Sequence, residues 1–430
     1  MRIRYLLLLF LCVCADFLYA QTPALNTQFE YRMRKGLPNF FEKIREGKQI
    51  KIGYLGGSIT EAVGGWREQS LQKLQERYPA ATFTGINAGV GGTGSDLGVF
   101  RVQKDVIDHE PDLVFVEFAV NDAGLPPKTI QKAMEGIVRK IWRFNKHTDI
   151  CFVYTMMEQM VDTLKTGSLW PSMLAMEQIA EHYGIPSVMF AKPVMDLYNS
   201  GHLVFTGNAE KMDDKIVFSR DRVHPYPTTG HRIYTEALMK FFETAEKNAG
   251  RLTHHLSSPF TRDNWEDAVM LPASVLTQSG TWNNLSNTND SVAVRLQNRF
   301  PYLISSDEVG ASIQMQFKGR SIGLYDVVGP GCGQFQVKVD QHSPVLIPRF
   351  DKYAAKWRSH YFFLPEEMNE GTHDVVFSVS EEKLDKSSIV KDAGKFQRGT
   401  NSADNLDPYS KNACYAGWVL LLGKPVRRNK

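Results

Sequence analysis

The sequence has no strong excess of either charge, and it lacks the cysteine and histidine clusters of common metal sites. Lysine and arginine number 50 against 47 aspartate and glutamate residues, so the formal net charge is +3 over 430 residues. A balance this close to zero gives no reason to expect a nucleic-acid partner. Because no CxxC pair or Cys/His cluster occurs, we expect no metal and no other cofactor.

The glycine-rich segments also lack the lysine of a phosphate-binding P-loop, since Gly57 is followed by Ser58 rather than by Lys-Ser or Lys-Thr. Residues 89–94 do fit GxGxxG and follow a strand-like run, which makes a dinucleotide site an alternative. A single motif of this kind is a weak signal, and this one follows a later strand rather than the first.

Long apolar runs are missing except at the N-terminus, where Arg2 and Arg4 precede an apolar core at residues 5–15 and a small residue, Ala20. This pattern predicts a signal peptide over residues 1–20 and a secreted or periplasmic protein without a stable membrane span. A lipid anchor at Cys12 or Cys14 is less favoured because large residues precede both.

Cysteine is scarce, with three residues left beyond the predicted leader. Cys151 lies in an apolar run, and we expect a buried thiol there. Cys332 and Cys414 could pair in an oxidising compartment, and the sequence leaves their pairing open.

Residues 50–245 alternate short apolar runs with longer amphipathic ones, which predicts a parallel sheet covered by helices on both faces. The expected strands are 50–55, 82–87, 113–120, 150–156 and 187–190, and the expected helices are 66–78, 130–142, 173–183 and 233–242. We place a domain at residues 21–250.

Residues 251–430 differ, because short strand-like runs alternate with glycine turns and no helical stripe is seen. The expected strands are 291–296, 311–317, 321–327, 334–339, 360–363, 373–379 and 416–422. This pattern predicts an all-β domain, an antiparallel sandwich of jelly-roll type.

Polar residues that could perform acyl transfer follow several of the predicted strands of the first domain. Ser58 comes after the first strand, where a parallel sheet has its ligand crevice, and Asn121 comes after the run at 113–120. Asp221 and His224 are spaced so that the carboxylate can orient the imidazole as a general base. Taken singly, Ser58 also fits a turn or a helix N-cap, and Asn121 fits a turn. The spacing of Asp221 and His224 can be incidental, and His231 is expected to belong to the last helix.

In the order Ser58, Gly92, Asn121, His224, the chain resembles the SGNH (GDSL-type) hydrolase superfamily. The matching blocks are GGSIT at 56–60, NAGVGG at 87–92, VND at 120–122 and DRVHP at 221–225. The resemblance covers about residues 50–245 and implies a flavodoxin-like three-layer α/β/α fold.

The resemblance also implies serine esterase chemistry. Ser58 would be the nucleophile, His224 the base and Asp221 its orienting acid, and the oxyanion hole would be formed by the Ser58 and Gly92 N–H groups and the Asn121 amide. One departure is Gly57, which stands where the family usually has aspartate. Trp66 and Arg67 are candidates for lining the crevice, with helix packing and a solvated charge, respectively, as the alternatives.

The second half resembles the accessory sandwich domains of bacterial carbohydrate esterases. Four aromatic residues could stack on sugar rings or form the sandwich core; they are Tyr353, Trp357, Tyr361 and Trp418. We therefore expect a secreted esterase that removes O-acyl groups, chiefly O-acetyl groups, from carbohydrate. The alternatives are an esterase or lipase for other acyl substrates and a non-catalytic glycan-binding protein.

Overall fold

A computed structural model describes residues 29–207, 211–212, 214–364, 367–392 and 409–426. The predicted signal peptide at 1–20 lies outside these residues and stays a prediction. Within the described ranges, no helix combines the length and the apolar character needed to cross a membrane.

The first sheet has six strands in the order β1-β6-β5-β4-β2-β3. Its strands are β1 (Tyr31–Arg32), β2 (Gln49–Gly56), β3 (Thr82–Gly89), β4 (Leu113–Glu117), β5 (Asp149–Val153) and β6 (Ser187–Val188). All neighbours pair in parallel except β1, which adds an antiparallel edge. The strand order reverses at β2, so the carboxyl ends of β2 and β4 flank the topological switch point where ligands of open α/β sheets bind.

Helices follow most of these strands and pack as neighbours on the sheet. They are α1 (Pro38–Arg45), α2 (Ser58–Glu61), α3 (Trp66–Arg77), α4 (Ser95–Asp105), α5 (Pro127–Phe144), α6 (Val161–Lys165), α7 (Pro171–Tyr183), α8 (Ala191–Asn199) and α9 (Arg232–Ala245). One group packs as α4, α5 and α7 and another as α3, α8 and α9. Every residue of β4 and β5 is buried, as expected of parallel strands covered on both faces. The predicted α/β fold class is confirmed.

Strand β4 is shorter than the predicted 113–120. The chain turns after Glu117, and the Asp122 N–H donates to the Phe118 carbonyl at 2.8 Å. The apolar run continues through Val120 because the turn itself is largely buried, so hydrophobicity alone could not locate the end of the strand.

A small three-stranded sheet precedes α9. It contains β7 (Leu203–Thr206), β8 (Lys211–Met212) and β9 (Lys215–Ser219). After β9 the chain forms a loop at residues 220–226 and a single π-helical turn, Pro227–His231, that leads into α9. An N–H···O bond of 2.9 Å from Tyr226 to Phe218 closes this loop at its base.

The C-terminal β region, residues 268–425, is built on antiparallel pairing around one long strand, β14. Its strands are β10 (Ala268–Pro272), β11 (Thr277–Ser279), β12 (Asn283–Asn284), β13 (Ile304–Ser306), β14 (Ser312–Val328), β15 (Gln334–Val339), β16 (Val345–Pro348), β17 (Arg358–Phe363), β18 (Gly371–Val379), β19 (Cys414–Ala416) and β20 (Trp418–Pro425). Eight of them form one sheet, while β12, β13 and β19 form a second sheet of three. The predicted β character of this half is confirmed.

The expectation of a strand at 291–296 is wrong, because this segment is the helix α10 (Ser291–Leu296). The Asp290 carboxylate accepts from the N–H groups of Val292 and Ala293 at 2.9 and 3.0 Å, which is a helix N-cap. This local cap outweighs the β-branched content that suggested a strand. A second helix that the pattern did not indicate is α11 (Lys386–Asp392).

One apolar cluster joins the two halves of the chain. It continues from the core of the first sheet to one face of the C-terminal β region, where Tyr325, Trp418, Leu420 and Leu422 belong to it. Cys151 is a buried thiol as expected, and Cys332 and Cys414 are likewise buried and free in this structure.

Candidate active site

Ser58 is the first residue of α2 and directly follows β2. Its Oγ lies 2.8 Å from Nε2 of His224, a residue 166 positions later in the chain. Both side chains are partly exposed at the carboxyl edge of the sheet. The fold thus brings together two of the residues that the sequence singled out.

Asp221 fixes the orientation of the His224 ring. Its Oδ2 lies 2.7 Å from His224 Nδ1, and its Oδ1 accepts from the backbone N–H of His224 at 2.8 Å. A carboxylate at this distance requires the ring proton on Nδ1, which leaves Nε2 to accept from the Ser58 hydroxyl. Burial raises the pKa of Asp221, but the bonds from the His224 N–H, the His224 ring and the Val223 N–H outweigh it, and the pKa is lowered on balance.

The turn between these two residues is held in an unfavourable backbone conformation. Arg222 has a φ of 72°, in the left-handed region that non-glycine residues rarely adopt. Its carbonyl accepts from the Glu158 N–H at 2.9 Å, and its Nε lies 3.3 Å from the Glu158 carboxylate. Glu158 therefore stabilises the turn that presents His224.

The glycine loop, residues 89–94, lies beside Ser58. A Cβ built on Gly91 would stand 3.6 Å from Ser58 Cβ, and the Gly91 N–H donates to Glu61 Oε2 at 2.7 Å. Gly92 is exposed, with a φ of 72° that glycine adopts without strain. The predicted oxyanion loop is thus adjacent to the predicted nucleophile.

Asn121 reaches the same place from the end of β4. Its amide lies against the backbone of Gly57, the residue before Ser58, and its Oδ1 is buried with no hydrogen-bond partner among the described residues. The loop after β3 and the turn after β4 therefore converge on Ser58, as the sequence predicted.

Glu117 lies beneath the Ser58 turn and was not singled out from the sequence. This fully buried carboxylate accepts from the hydroxyls of Thr60 and Thr155 at 2.9 and 2.5 Å, and also from the Gly57 N–H. Burial raises its pKa, and these bonds offset part of the shift. The sequence feature that could have identified Glu117 is a carboxylate at the end of an otherwise apolar strand.

Two further buried acids, Asp96 and Asp122, secure the start of α4. Asp122 Oδ1 accepts from the Ser95 N–H at 2.9 Å, and Asp96 Oδ1 accepts from the Tyr361 hydroxyl at 2.7 Å. Burial, and then the charge of Asp96, raise the pKa of Asp122 well above its ordinary value. The two acids therefore hold the end of the glycine loop.

The prediction that Trp66 and Arg67 line the crevice is wrong. Trp66 is 0% exposed, and its ring packs on Tyr54, Phe115 and Phe190 in the core. Arg67 is 7% exposed and donates to the Thr60 carbonyl at 3.3 Å. Trp66 thus serves packing at the start of α3, as the alternative expected, whereas Arg67 is buried rather than the solvated charge that was its alternative.

His231 is likewise structural. It ends the π-helical turn, and its Nδ1 accepts from the Trp66 N–H at 3.1 Å. Burial, with a smaller contribution from nearby His224, lowers its pKa to about 4. It therefore stays neutral at physiological pH and anchors α3 to the region that carries His224.

Of the aromatic residues considered for sugar stacking, Trp418 is buried and donates from Nε1 to the Arg299 carbonyl at 2.9 Å. Tyr361 is engaged with Asp96, whereas Tyr353 is exposed. Contacts within the protein therefore account for Trp418 and Tyr361. Among the described residues, no group of three or more His, Cys, Asp or Glu side chains is arranged to hold a metal ion.

Residues 54–232 match the model of the GDSL-like lipase/acylhydrolase family. Two solved structures of a two-domain esterase (CEX) active on acetylated mannans are similar to the chain, each at 19% identity. The one co-crystallised with mannopentaose has a TM-score of 0.66 and covers 94% of this chain and 100% of its own, and the other has a TM-score of 0.68 and covers 93% and 100%.

At this identity the structural likeness shows the fold, with an SGNH-like α/β domain and a further β domain. No curated protein sequence matches the chain. Residues 54–232 are thus a GDSL-like lipase/acylhydrolase domain, and this domain contains Ser58, Gly92, Asn121, Asp221 and His224.

Proposed function

We propose that this protein is a secreted carbohydrate esterase that removes O-acetyl groups through a triad of Ser58, His224 and Asp221. The observation that carries the proposal is the aligned pair of contacts, 2.8 Å from Ser58 Oγ to His224 Nε2 and 2.7 Å from His224 Nδ1 to Asp221 Oδ2. This arrangement has the geometry of an activated nucleophile with an oriented base.

In the proposed mechanism, His224 takes the proton of Ser58 as Oγ attacks the ester carbonyl carbon. The negative charge formed on the carbonyl oxygen is stabilised by the N–H groups of Ser58 and Gly92 and by the Asn121 amide. The tetrahedral intermediate collapses, the C–O bond to the sugar breaks, and His224 returns the proton to the leaving alcohol. Water, deprotonated by His224, then attacks the acyl-enzyme, which releases the carboxylic acid and restores Ser58.

Three features support carbohydrate as the acyl acceptor. The similar two-domain esterase acts on acetylated mannans, and its likeness extends over both halves of this chain. The N-terminal segment has the pattern of a signal peptide, which suits an enzyme that meets polysaccharide outside the cytoplasm. Ser58 is also partly exposed on an open edge of the sheet, so a bulky acceptor can approach it.

A substrate panel with a matched serine control tests this function. We would compare hydrolysis of p-nitrophenyl acetate, butyrate and octanoate, and acetate release from acetylated mannan and acetylated xylan. Ser58→Ala is expected to abolish all of these activities. Ser200→Ala, at an exposed serine just after α8, is expected to leave them unchanged.

Two results would contradict the proposal. A preference for octanoate, with no acetate released from either polysaccharide, would indicate an esterase for other acyl substrates. Full activity of the Ser58→Ala variant would show that Ser58 is not the nucleophile. The proposed location is checked separately by N-terminal sequencing of the exported protein, which should begin at Gln21.

A further inference from the structure

The glycine loop is connected to the C-terminal β region through an ion pair. The Gly91 N–H donates to Glu61 Oε2 at 2.7 Å, and the other oxygen of Glu61 pairs with Nη2 of Arg299. Glu61 is the last residue of α2, the same short helix that begins at Ser58. One carboxylate thus joins the loop beside the nucleophile to an arginine more than 200 residues away.

Arg299 is itself held in place. It follows α10, and its carbonyl accepts from Nε1 of the buried Trp418 at 2.9 Å. Because Trp418 begins β20, which pairs with β10 and β14 on its two sides, the backbone of Arg299 is tied to a rigid element. The guanidinium is therefore presented to Glu61 by the sheet rather than by a free loop.

A second contact holds the other end of the glycine loop. The Tyr361 hydroxyl, from β17, donates to Asp96 Oδ1 at 2.7 Å, and the Gly94 N–H donates to the same hydroxyl. Asp96 is only 7% exposed and lies in the first turn of α4, immediately after the loop. The C-terminal β region is therefore linked to the loop on both sides of Gly92, through Glu61 on one side and through Tyr361 on the other.

Gly92 has no comparable support of its own. It is exposed, and apart from its two chain neighbours no described residue has an atom within 4 Å of the point where its Cβ would stand. Its position is thus determined by the residues on either side of it. A displacement of about 1 Å in a catalytic group can lower a rate by as much as about 100-fold.

We propose that the C-terminal β region positions the glycine loop for catalysis, with Arg299 and Tyr361 as positioning residues for the oxyanion donor at Gly92. The inference rests on the proposed function, since it assigns the N–H of Gly92 to the oxyanion hole. It gives the second half of the chain a role in the acyl-transfer step itself.

The test compares kcat and KM for p-nitrophenyl acetate in Arg299→Met and Tyr361→Phe. Each is expected to lower kcat about tenfold and to leave KM within about twofold, because the donor is needed more in the transition state than in the ground state. Affinity for a boronic acid that mimics the tetrahedral intermediate should fall in parallel with kcat. Arg299→Lys keeps the charge opposite Glu61 and should restore most of the rate.

Lys132→Met is the matched control. Lys132, on α5, pairs with Glu367 at 3.1 Å and with Asp263 at 2.6 Å, which is also a contact between the two halves of the chain. Neither partner contacts the glycine loop through a hydrogen bond of the described residues. Lys132→Met should change the melting temperature by about as much as Arg299→Met does, while kcat stays unchanged.

The inference would be overturned if Arg299→Met and Tyr361→Phe kept the wild-type kcat, changed only KM, or lost no more activity than Lys132→Met. These outcomes differ from failure of the proposed function. In that case the wild-type protein would hydrolyse no ester, or its hydrolysis would not depend on Ser58.

Discussion

The amide oxygen of Asn121 occupies the space that a side chain on Gly57 would need, 1.9 Å from the position of its Cβ. The Cγ and Nδ2 atoms of Asn121 are also within 2.8 Å of that point. No heavy-atom contact this short is tolerated, so a side chain at position 57 and the observed Asn121 rotamer exclude each other. The glycine that departs from the family pattern therefore has a physical reason in this chain.

Restoring the family's aspartate with Gly57→Asp is expected to reduce activity rather than improve it. The new side chain must displace the Asn121 amide, and loss of one oxyanion donor lowers kcat by about 100- to 1,000-fold. The measurement is kcat on p-nitrophenyl acetate, with folding checked by circular dichroism. Gly124→Ala is the control, because no described residue other than its two chain neighbours has an atom within 4 Å of the added Cβ.

Asp221→Asn is expected to lower kcat by about 100-fold or more with little change in KM. The neutral amide no longer stabilises the protonated imidazole, and its NH₂ group favours the tautomer that cannot accept the Ser58 proton. Asp221 is 44% exposed, so water compensates in part and the loss should be smaller than for a buried acid. An unchanged kcat would show that Asp221 is not the orienting acid.

Glu117→Leu is expected to destabilise the protein by about 3 kcal/mol, because it leaves the two threonine hydroxyls and the Gly57 N–H without their acceptor in a buried site. Glu117→Gln keeps one acceptor oxygen and should cost about 1 kcal/mol. Urea unfolding of both variants measures the difference. Equal free energies of unfolding for Glu117→Leu and Glu117→Gln would contradict the acceptor role of Glu117.

His231 should make the protein less stable in acid. Its pKa is about 4 in the folded protein and 6.5 when unfolded, so between these values the unfolded chain binds more protons. The free energy of unfolding therefore decreases as pH falls from about 7 to 4, by up to about 3 kcal/mol from this residue. Burial lowers the pKa of His360 to about 4 as well, and it acts in the same direction.

His231→Gln isolates this contribution, since glutamine can still accept from the Trp66 N–H. The quantity to measure is the difference between variant and wild type in the free energy of unfolding at pH 4, 5, 6 and 7. The difference should shift in favour of the variant as pH falls. A difference that is constant over this range would rule out the assigned pKa of His231.

The sequence was most informative for site residues that directly follow a strand. Ser58, Gly92 and Asn121 each follow a strand of the first sheet, and the carboxyl ends of parallel strands meet at one edge, so their proximity followed from the pattern. His224 follows β9 of the small sheet, and only the family resemblance indicated that it lies beside Ser58. The same reasoning was wrong for Trp66, which lies close to Ser58 in the chain but points into the core. Neighbourhood in sequence does not determine which way a side chain faces.

The sequence by itself determined the fold class of both halves and the residues of the candidate triad, because strand periodicity and motif order are local properties. Only the tertiary structure decided the supports of the site. Glu117 beneath Ser58, Asn121 in the place of a side chain at Gly57, and Arg299 behind Glu61 depend on contacts between distant segments. The first two follow from the pairing of β2 with β4, and the third from the contact between the two halves of the chain. No local pattern encodes either.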